Sequence, residues 1–479
     1  MSTFIGRKRE LSLLEELLKT KIANLVVIKG RRRIGKSRLI EEFGKNLRTL
    51  VLTGLPPDKD ITAQDQRDEF ARQMASQLKM PKISSEDWGD LFWHLANQTR
   101  SGRTLILLDE ISWMGSKDHT FLGKLKNAWD LEFKQNNKLI LVLCGSISSW
   151  IEKNILSSTG FVGRINLILP LEELTLPECN EFWGSRKKQL SPYEKFKILS
   201  VTGGVPRYLE LISPNYSAEE NIKRLCFIKE GLLFSEFEQI FNDLFAQRSP
   251  LYKAILQSLI KYPLAELNDI FKQLDIKKSG THVEYLQDIE QAGFISRDYS
   301  WSIKNETISK LSRFRISDNY IRFYLRYILP NKNKILRGAF EQRSLSTLPG
   351  WESIMGLQFE NLVLKNRLLI YKFLHIDPNE IVQDNPYFQK ASTKQSGCQI
   401  DYLIQTRFNC LYLCEIKFSK HPVMLNVVEE MKKKIHNLAI PKHFSYRPVL
   451  IHVNGVHEDV IESEFFAHII DFADFLESK

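Results

Sequence analysis

The sequence lacks any Cys-x-x-Cys pair: its six cysteines, Cys144, Cys179, Cys226, Cys398, Cys410 and Cys414, are scattered. Cys410 and Cys414 share one face of an expected strand, yet no histidine or second cysteine pair lies nearby to complete a metal site. Buried free thiols in a reducing cytoplasm are therefore expected. No apolar run approaches the roughly 20 residues of a membrane span. The opening Met1-Ser-Thr-Phe-Ile-Gly-Arg-Lys-Arg-Glu10 has no apolar signal core. Internal repeats and low-complexity tracts are missing too. The expectation is a cytoplasmic protein with no membrane partner.

The composition is that of a folded chain. With 479 residues, 43% hydrophobic and 26% charged, it is too long for one core and points to two to four globular domains. The net charge of +10 admits a polyanionic partner, because Lys and Arg release counterions when they neutralise phosphates. Many basic proteins never touch nucleic acid, so charge alone decides nothing.

One motif decides more. Gly30-Arg-Arg-Arg-Ile-Gly35-Lys36-Ser37 fits G-x-x-x-x-G-K-[ST] at every fixed position, between an apolar strand at 24–28 and a helix that starts at Arg38. Gly30 and Gly35 let successive N–H groups face a polyphosphate, and the helix N-terminus adds its positive dipole end. Lys36 is expected on the β/γ-phosphates and the Ser37 hydroxyl on Mg²⁺, with Arg38 beside them. ATP and Mg²⁺ are the cofactors this implies. At least two of Arg31, Arg32 and Arg33 are expected to face solvent.

Further apolar strands are expected at 49–53, 104–108 and 139–144, with helices between them such as 69–78 and 121–133, the alternation of a parallel α/β sheet. The strand Thr104-Leu-Ile-Leu-Leu-Asp109-Glu110 ends in two carboxylates. There Asp109 would hold Mg²⁺ through water, and Glu110 would orient or deprotonate the attacking water. Ser146, ending the next strand, is a candidate γ-phosphate sensor or a plain turn. Arg164 is a candidate phosphate-reaching arginine, in cis or from a neighbouring copy in a homo-oligomer, or a surface residue.

Phe4-Ile-Gly6-Arg7-Lys-Arg-Glu10-Leu resembles the start of the archaeal-type P-loop ATPases related to the STAND and AAA classes. The resemblance implies that Gly6 and Arg7 precede the P-loop and help seat the base. It continues through Gly30–Ser37, Leu107–Glu110 and Thr202-Gly-Gly-Val-Pro-Arg207, similar to the family's Gly-Gly-x-Pro lid motif. Arg315-Ile-Ser-Asp318 also resembles a recurring segment. Some members carry a C-terminal restriction-endonuclease-like domain of the PD-(D/E)xK type.

The expected architecture is a P-loop ATPase domain over 1–185, a helical lid over 186–245, a winged helix-turn-helix over 246–330 and an α/β nuclease-like domain over 335–479. Pro330–Lys334 reads as the linker before it. In the tail, a helix is expected around 359–369 and strands at 399–405, 410–418 and 447–453. Asp401 opens one strand, and Glu415 and Lys417 share one face of the next. Paired carboxylates suit Mg²⁺, with Lys417 orienting water or neutralising phosphate. Glu360 resembles the helix-borne acid of such sites. Lys432, Lys433 and Lys434 would lie along DNA or form an exposed face. In the winged module the expected recognition helix, 280–291, carries Glu284, Asp288 and Glu290, which disfavours a phosphate-rich groove. Lys277 and Lys278 precede it, and Lys304, Lys310, Arg313 and Arg315 follow.

Three readings result: an ATP-driven switch coupled to a Mg²⁺-dependent nuclease acting on DNA, a nucleotide-dependent signalling or assembly protein with an inactive tail, and a transcription regulator.

Overall fold

The computed structural model describes residues 4–56, 60–146, 148–245, 249–276, 280–341, 344–391, 393 and 396–478. Lys277 and Lys278 lie outside the described residues. The chain divides into two compact units, one holding the residues to Glu173 with a short stretch from Gln239, the other holding Leu174–Glu238 and the rest.

The first unit is built on strands β1 (Asn24–Lys29), β2 (Arg48–Thr53), β3 (Thr104–Asp109), β4 (Leu139–Gly145) and β5 (Ile165–Pro170), in the order β2-β3-β4-β1-β5. All pairings are parallel. Such a sheet is covered on both faces, so its central strands read as continuous apolar runs. Alternation assigns their side chains. Val26, Ile28, Leu105, Leu107 and Val142 pack with Leu39 and Ile40 of the helix Lys36–Phe43. Leu25, Val27, Ile106, Leu141 and Leu143 pack on the other face with Phe70, Trp88 and Phe92.

β5 was not among the expected strands. It is an edge strand with alternating exposure, interrupted by Asn166, whose Oδ1 accepts the Leu25 N–H at 2.9 Å where the pairing with β1 slips.

The second unit opens with helix Leu176–Asn180 and a short turn of helix over Glu181–Arg186, followed by helices Pro192–Thr202, Pro206–Leu209, Ala218–Cys226 and Leu232–Phe245, the last of which it shares with the first unit. Ser191 caps the helix Pro192–Thr202 by accepting the Glu194 N–H at 3.2 Å, with Pro192 inside the first turn. Then follow helix Ser249–Lys261, β6 (Ala265–Glu266), helices Leu267–Gln273 and Gly280–Gln291, and a hairpin of β7 (Ile295–Trp301) and β8 (Ile308–Ile316). β6, β8 and β7 form a three-stranded sheet in that order. The expected linker at 330–334 is instead helical, continuing through Leu329–Asn331 into Lys332–Leu336. Pro330 sits in the first turn there, where its missing N–H costs nothing.

The tail begins with helices Trp351–Leu364 and Arg367–Phe373 and contains β9 (Ile381–Gln389), β10 (Cys398–Thr406), β11 (Cys410–Phe418), β12 (Ser445–Val453) and β13 (His468–Asp471). The sheet order is β13-β12-β11-β10-β9. β9, β10 and β11 are antiparallel, whereas β11, β12 and β13 are parallel. Parallel neighbours require a crossover, which the helix Asn426–Asn437 supplies between β11 and β12. Leu403, Leu411, Leu413 and Leu450 meet Val427, Val428 and Met431 of that helix.

Trp301 and Ile303 of the hairpin region belong to the same apolar cluster. Trp301 Nε1 also donates to Gln405 Oε1 at 2.6 Å, and Ser300 Oγ to the Phe388 carbonyl at 2.7 Å. The hairpin region and the tail thus share one core.

Candidate functional site

Gly35 ends the P-loop with φ 88° and caps the helix Lys36–Phe43. At Gly30, φ is +155°, and an added Cβ would lie 2.4 Å from the Leu171 carbonyl oxygen. Only glycine fits there. Lys36 is buried, and its ammonium donates to the loop carbonyls of Gly30 at 3.0 Å and Arg31 at 3.1 Å. Arg7, itself buried and at φ 59°, donates to the Ile34 carbonyl at 3.2 Å and to the Glu172 carbonyl. Gly6, before it, has φ 75°. The Gly-Arg segment therefore braces the P-loop from beneath. Arg31 is buried against Glu173 at 3.3 Å, while Arg32 and Arg33 are half-buried. Arg38 pairs with Glu41 at 3.4 Å.

The ends of β3 and β4 complete the arrangement. Ser37 Oγ donates to Asp109 Oδ2 at 2.6 Å, bringing together the hydroxyl and carboxylate that would hold Mg²⁺. Burial, then the Asp109 charge, pushes the Cys144 thiol far up, so it stays protonated beside them. Glu110 turns into the left-handed region at φ 49°, a conformation that costs a non-glycine residue about 1–3 kcal/mol. Its Oε2 accepts both the Ser146 N–H at 3.1 Å and the Ser146 hydroxyl at 2.8 Å. Ser146 thus holds the carboxylate that faces the crevice. Arg164, the candidate phosphate-reaching arginine, is ion-paired within its own unit. Its guanidinium grips Asp130 at 2.8–3.1 Å, and that bond holds the Asp130 carboxyl well below its usual range.

In the tail, β10 and β11 pair from Thr406–Cys410 up to Tyr402–Cys414. Beyond that pair the side chain of Asp401 takes over, its Oδ2 accepting the Ile416 N–H at 2.9 Å. The β9 pairing shifts register at the same point, a bulge that re-aims Asp401 beside Glu415. Glu415 is almost fully buried: Lys417 lies 3.0 Å from its Oε1, and Lys434 sits on its Oε2. Burial, followed by the Glu415 charge, pushes Asp401 up to about 7 against the pull of Lys434 and the Ile416 N–H. Burial opposes the Lys434 charge, but Asp401 and Glu415 outweigh it and raise the ammonium.

Glu360, on the helix Trp351–Leu364, is close enough for its charge to help raise Asp401 and to feel that of Lys434. Burial raises its carboxyl, while Arg315 and Arg322 draw it down. Among the described residues no three His, Cys, Asp or Glu side chains converge as a metal-binding group. Asp401 and Glu415 are the carboxylates brought together, with Lys434 against both.

Arg315 is buried on Asp298 at 2.8 Å and cannot reach a nucleic-acid backbone, unlike Lys304 and Lys310, which are exposed. On the helix Gly280–Gln291 only Glu284 of the three acids is exposed. Asp288 accepts from the Tyr252 hydroxyl at 2.6 Å, and burial raises Glu290. Lys432 and Lys433 are exposed on the crossover helix, and Lys434 is turned inward.

Residues 4–212 match a family model described as an ATPase domain predominantly from Archaea. This part of the chain is an archaeal-type ATPase domain. An uncharacterized protein of Methanocaldococcus jannaschii is 26% identical over 382 residues, 78% of this chain and 81% of that protein. An uncharacterized ATP-binding protein of the same organism is 46% identical over 43 residues, 9% of this chain and 73% of that protein. Among solved structures, a Walker-type ATPase of Pyrococcus abyssi superposes with a TM-score of 0.50 at 16% identity. It covers 67% of this chain and 96% of that one, a likeness of fold. No helix among the described residues is long and apolar enough to cross a membrane.

The match to the ATPase domain extends into the second unit, through the lid motif. Gly203 ends the helix Pro192–Thr202 at φ 56°, ψ −159°, and the Gly204 carbonyl accepts the Leu174 N–H at 2.8 Å. Pro206 then starts the next helix. The sequence expectation put Lys434 with Lys432 and Lys433 on a DNA-facing or exposed face, whereas it pairs inward with Glu415 and Asp401, as the apolar stripe Val427, Val428, Met431 would have indicated.

Proposed function

We propose that this ATPase couples its nucleotide switch to a Mg²⁺-dependent nuclease acting on DNA. The observation that carries the nuclease half is the pairing of β10 with β11, which brings Asp401 beside Glu415 with Lys417 two residues on. The order helix, three antiparallel strands, crossover helix, parallel strand is consistent with it. Asp401 and Glu415 would hold the ion. Mg²⁺, when bound, supplies positive charge at the scissile phosphate and lowers the pKa of a water. Lys417, held by Glu415 and Glu430, would steady that water or the phosphate oxygen. In the ATPase domain Lys36 and Ser37 bind the phosphates, and Glu110, once released from Ser146, orients the attacking water.

Coupling is supported by the packing of the lid helix on the catalytic strand. The Phe418 ring, next to Lys417, lies 5.2 Å from Phe196 and 6.5 Å from Tyr193. A displacement of the helix Pro192–Thr202 is therefore felt at the end of β11.

A signalling or assembly ATPase with an inactive tail is the second reading, favoured by the ion-pairing of Lys434 to both carboxylates. The test is plasmid cleavage by the full chain in Mg²⁺ or Mn²⁺, with and without ATP. Cleavage lost in Glu415→Ala but retaining ATP turnover supports the nuclease. Intact DNA under every condition, with ATP turnover normal, leaves the second reading. The exposed Lys304 and Lys310 would add weak backbone contacts, measurable as a small loss of DNA affinity when both become alanine.

A further inference from the structure

The crossover helix Asn426–Asn437 buries Val427, Val428 and Met431 under the sheet. Lys434 follows Met431 by three residues and so extends that inward stripe. A lysine on such a face is costly unless its charge is matched. Here the ammonium lies against Glu415 Oε2 and 3.6 Å from Asp401 Oδ1. The Glu415 side chain is 1% exposed and that of Lys434 26%, so the contact is largely shielded from solvent. Lys417 is differently placed: it meets the other Glu415 oxygen at 3.0 Å but also pairs with Glu430 at 2.7 Å, towards solvent. Of the two lysines, Lys434 alone touches both carboxylates.

We propose that Lys434 is the resident counter-ion of the Asp401–Glu415 pair and competes with a divalent cation for its oxygens. A cation that takes these oxygens displaces the ammonium, which remains within the site as a positive charge for an anionic phosphodiester. The inference rests on the nuclease reading for the identity of the site, but its sign is independent of cleavage. A lysine that merely supports the fold would weaken cation binding when removed. A competing counter-ion does the opposite.

The experiment is calorimetric titration of the full chain with Mn²⁺ in the absence of nucleotide, with Glu415→Ala as the baseline. Lys434→Met, and Lys434→Gln as a second neutral variant should the first not fold, is expected to bind Mn²⁺ about tenfold more tightly. Lys434→Arg, which keeps the charge, is expected to bind as the wild type does. In a DNA assay the neutral variants should cleave more slowly despite the tighter ion. Unchanged or weaker Mn²⁺ binding in a folded neutral variant overturns the proposal. Tighter binding in a chain whose wild type cuts no DNA retains Lys434 as counter-ion and removes the nuclease reading instead.

Discussion

Arg7 illustrates how much a single side chain carries. It bonds the carbonyls of Ile34, inside the P-loop, and Glu172, just past β5, from a buried position. Hydrogen bonds from a charged donor are each worth about 1.5–3 kcal/mol, and the buried Ile34 carbonyl would be left without this donor. Arg7→Ala should therefore lower the unfolding temperature by several degrees and weaken ATP binding, as read by thermal melts and nucleotide titration. Unaltered affinity would show that the P-loop does not need this brace. Arg164 has another job. Because its bond holds Asp130 well below its usual range, the pair stabilises the folded state above the unfolded pKa of about 4 and loses that effect as pH falls further. Arg164→Ala should leave ATP turnover intact. It should lower stability slightly at neutral pH, a difference that shrinks in acid. The meeting of Ser37 with Asp109 was legible in the sequence because the P-loop and the acid ending a buried strand both belong at the C-terminal edge of one parallel sheet. The partners of Arg164 and Lys434 were not, because no local pattern records which distant carboxylate a cation meets.

Among the elements, β1, β3 and β4 were readable since parallel central strands are continuously apolar, and the edge strand β2 through its alternating Leu50 and Leu52. β9 was not: it carries Gln383, Asp384, Asn385 and Pro386, a composition tolerated at a sheet edge. β13 has four residues, too few for a pattern. The lid motif was visible as Gly-Gly-x-Pro, but its role is structural in a definite way. Gly203 has φ 56° and ψ −159°, a region that side-chain-bearing residues enter at a cost of about 1–3 kcal/mol. Gly203→Ala should destabilise the protein by that amount in denaturant unfolding, while Val205→Ile, two positions on, should cost less because it leaves the backbone conformation unchanged. Equal effects would place the constraint in packing and not in the backbone.

The whole chain joins an ATPase core to a mixed-sheet tail, and the helix Pro192–Thr202 belongs both to the matched ATPase region and to the unit that holds β11. A sequence reading separates a lid, a winged helix and a tail because each has its own periodicity. It cannot register that Trp301 completes the tail's core, or that Phe196 meets Phe418, since those contacts join residues more than a hundred positions apart. The central claim is that nucleotide state sets nuclease rate through this shared unit. It is tested most directly by following plasmid cleavage in Mn²⁺ and saturating ATP by the wild type, by Lys36→Ala, which loses ATP binding, and by Glu110→Gln, which keeps binding and loses turnover. The account predicts cleavage rates that differ severalfold between the two variants, with the Asp401→Ala protein inactive. Identical cleavage by all three nucleotide-site forms, or no cleavage by any of them, would contradict it.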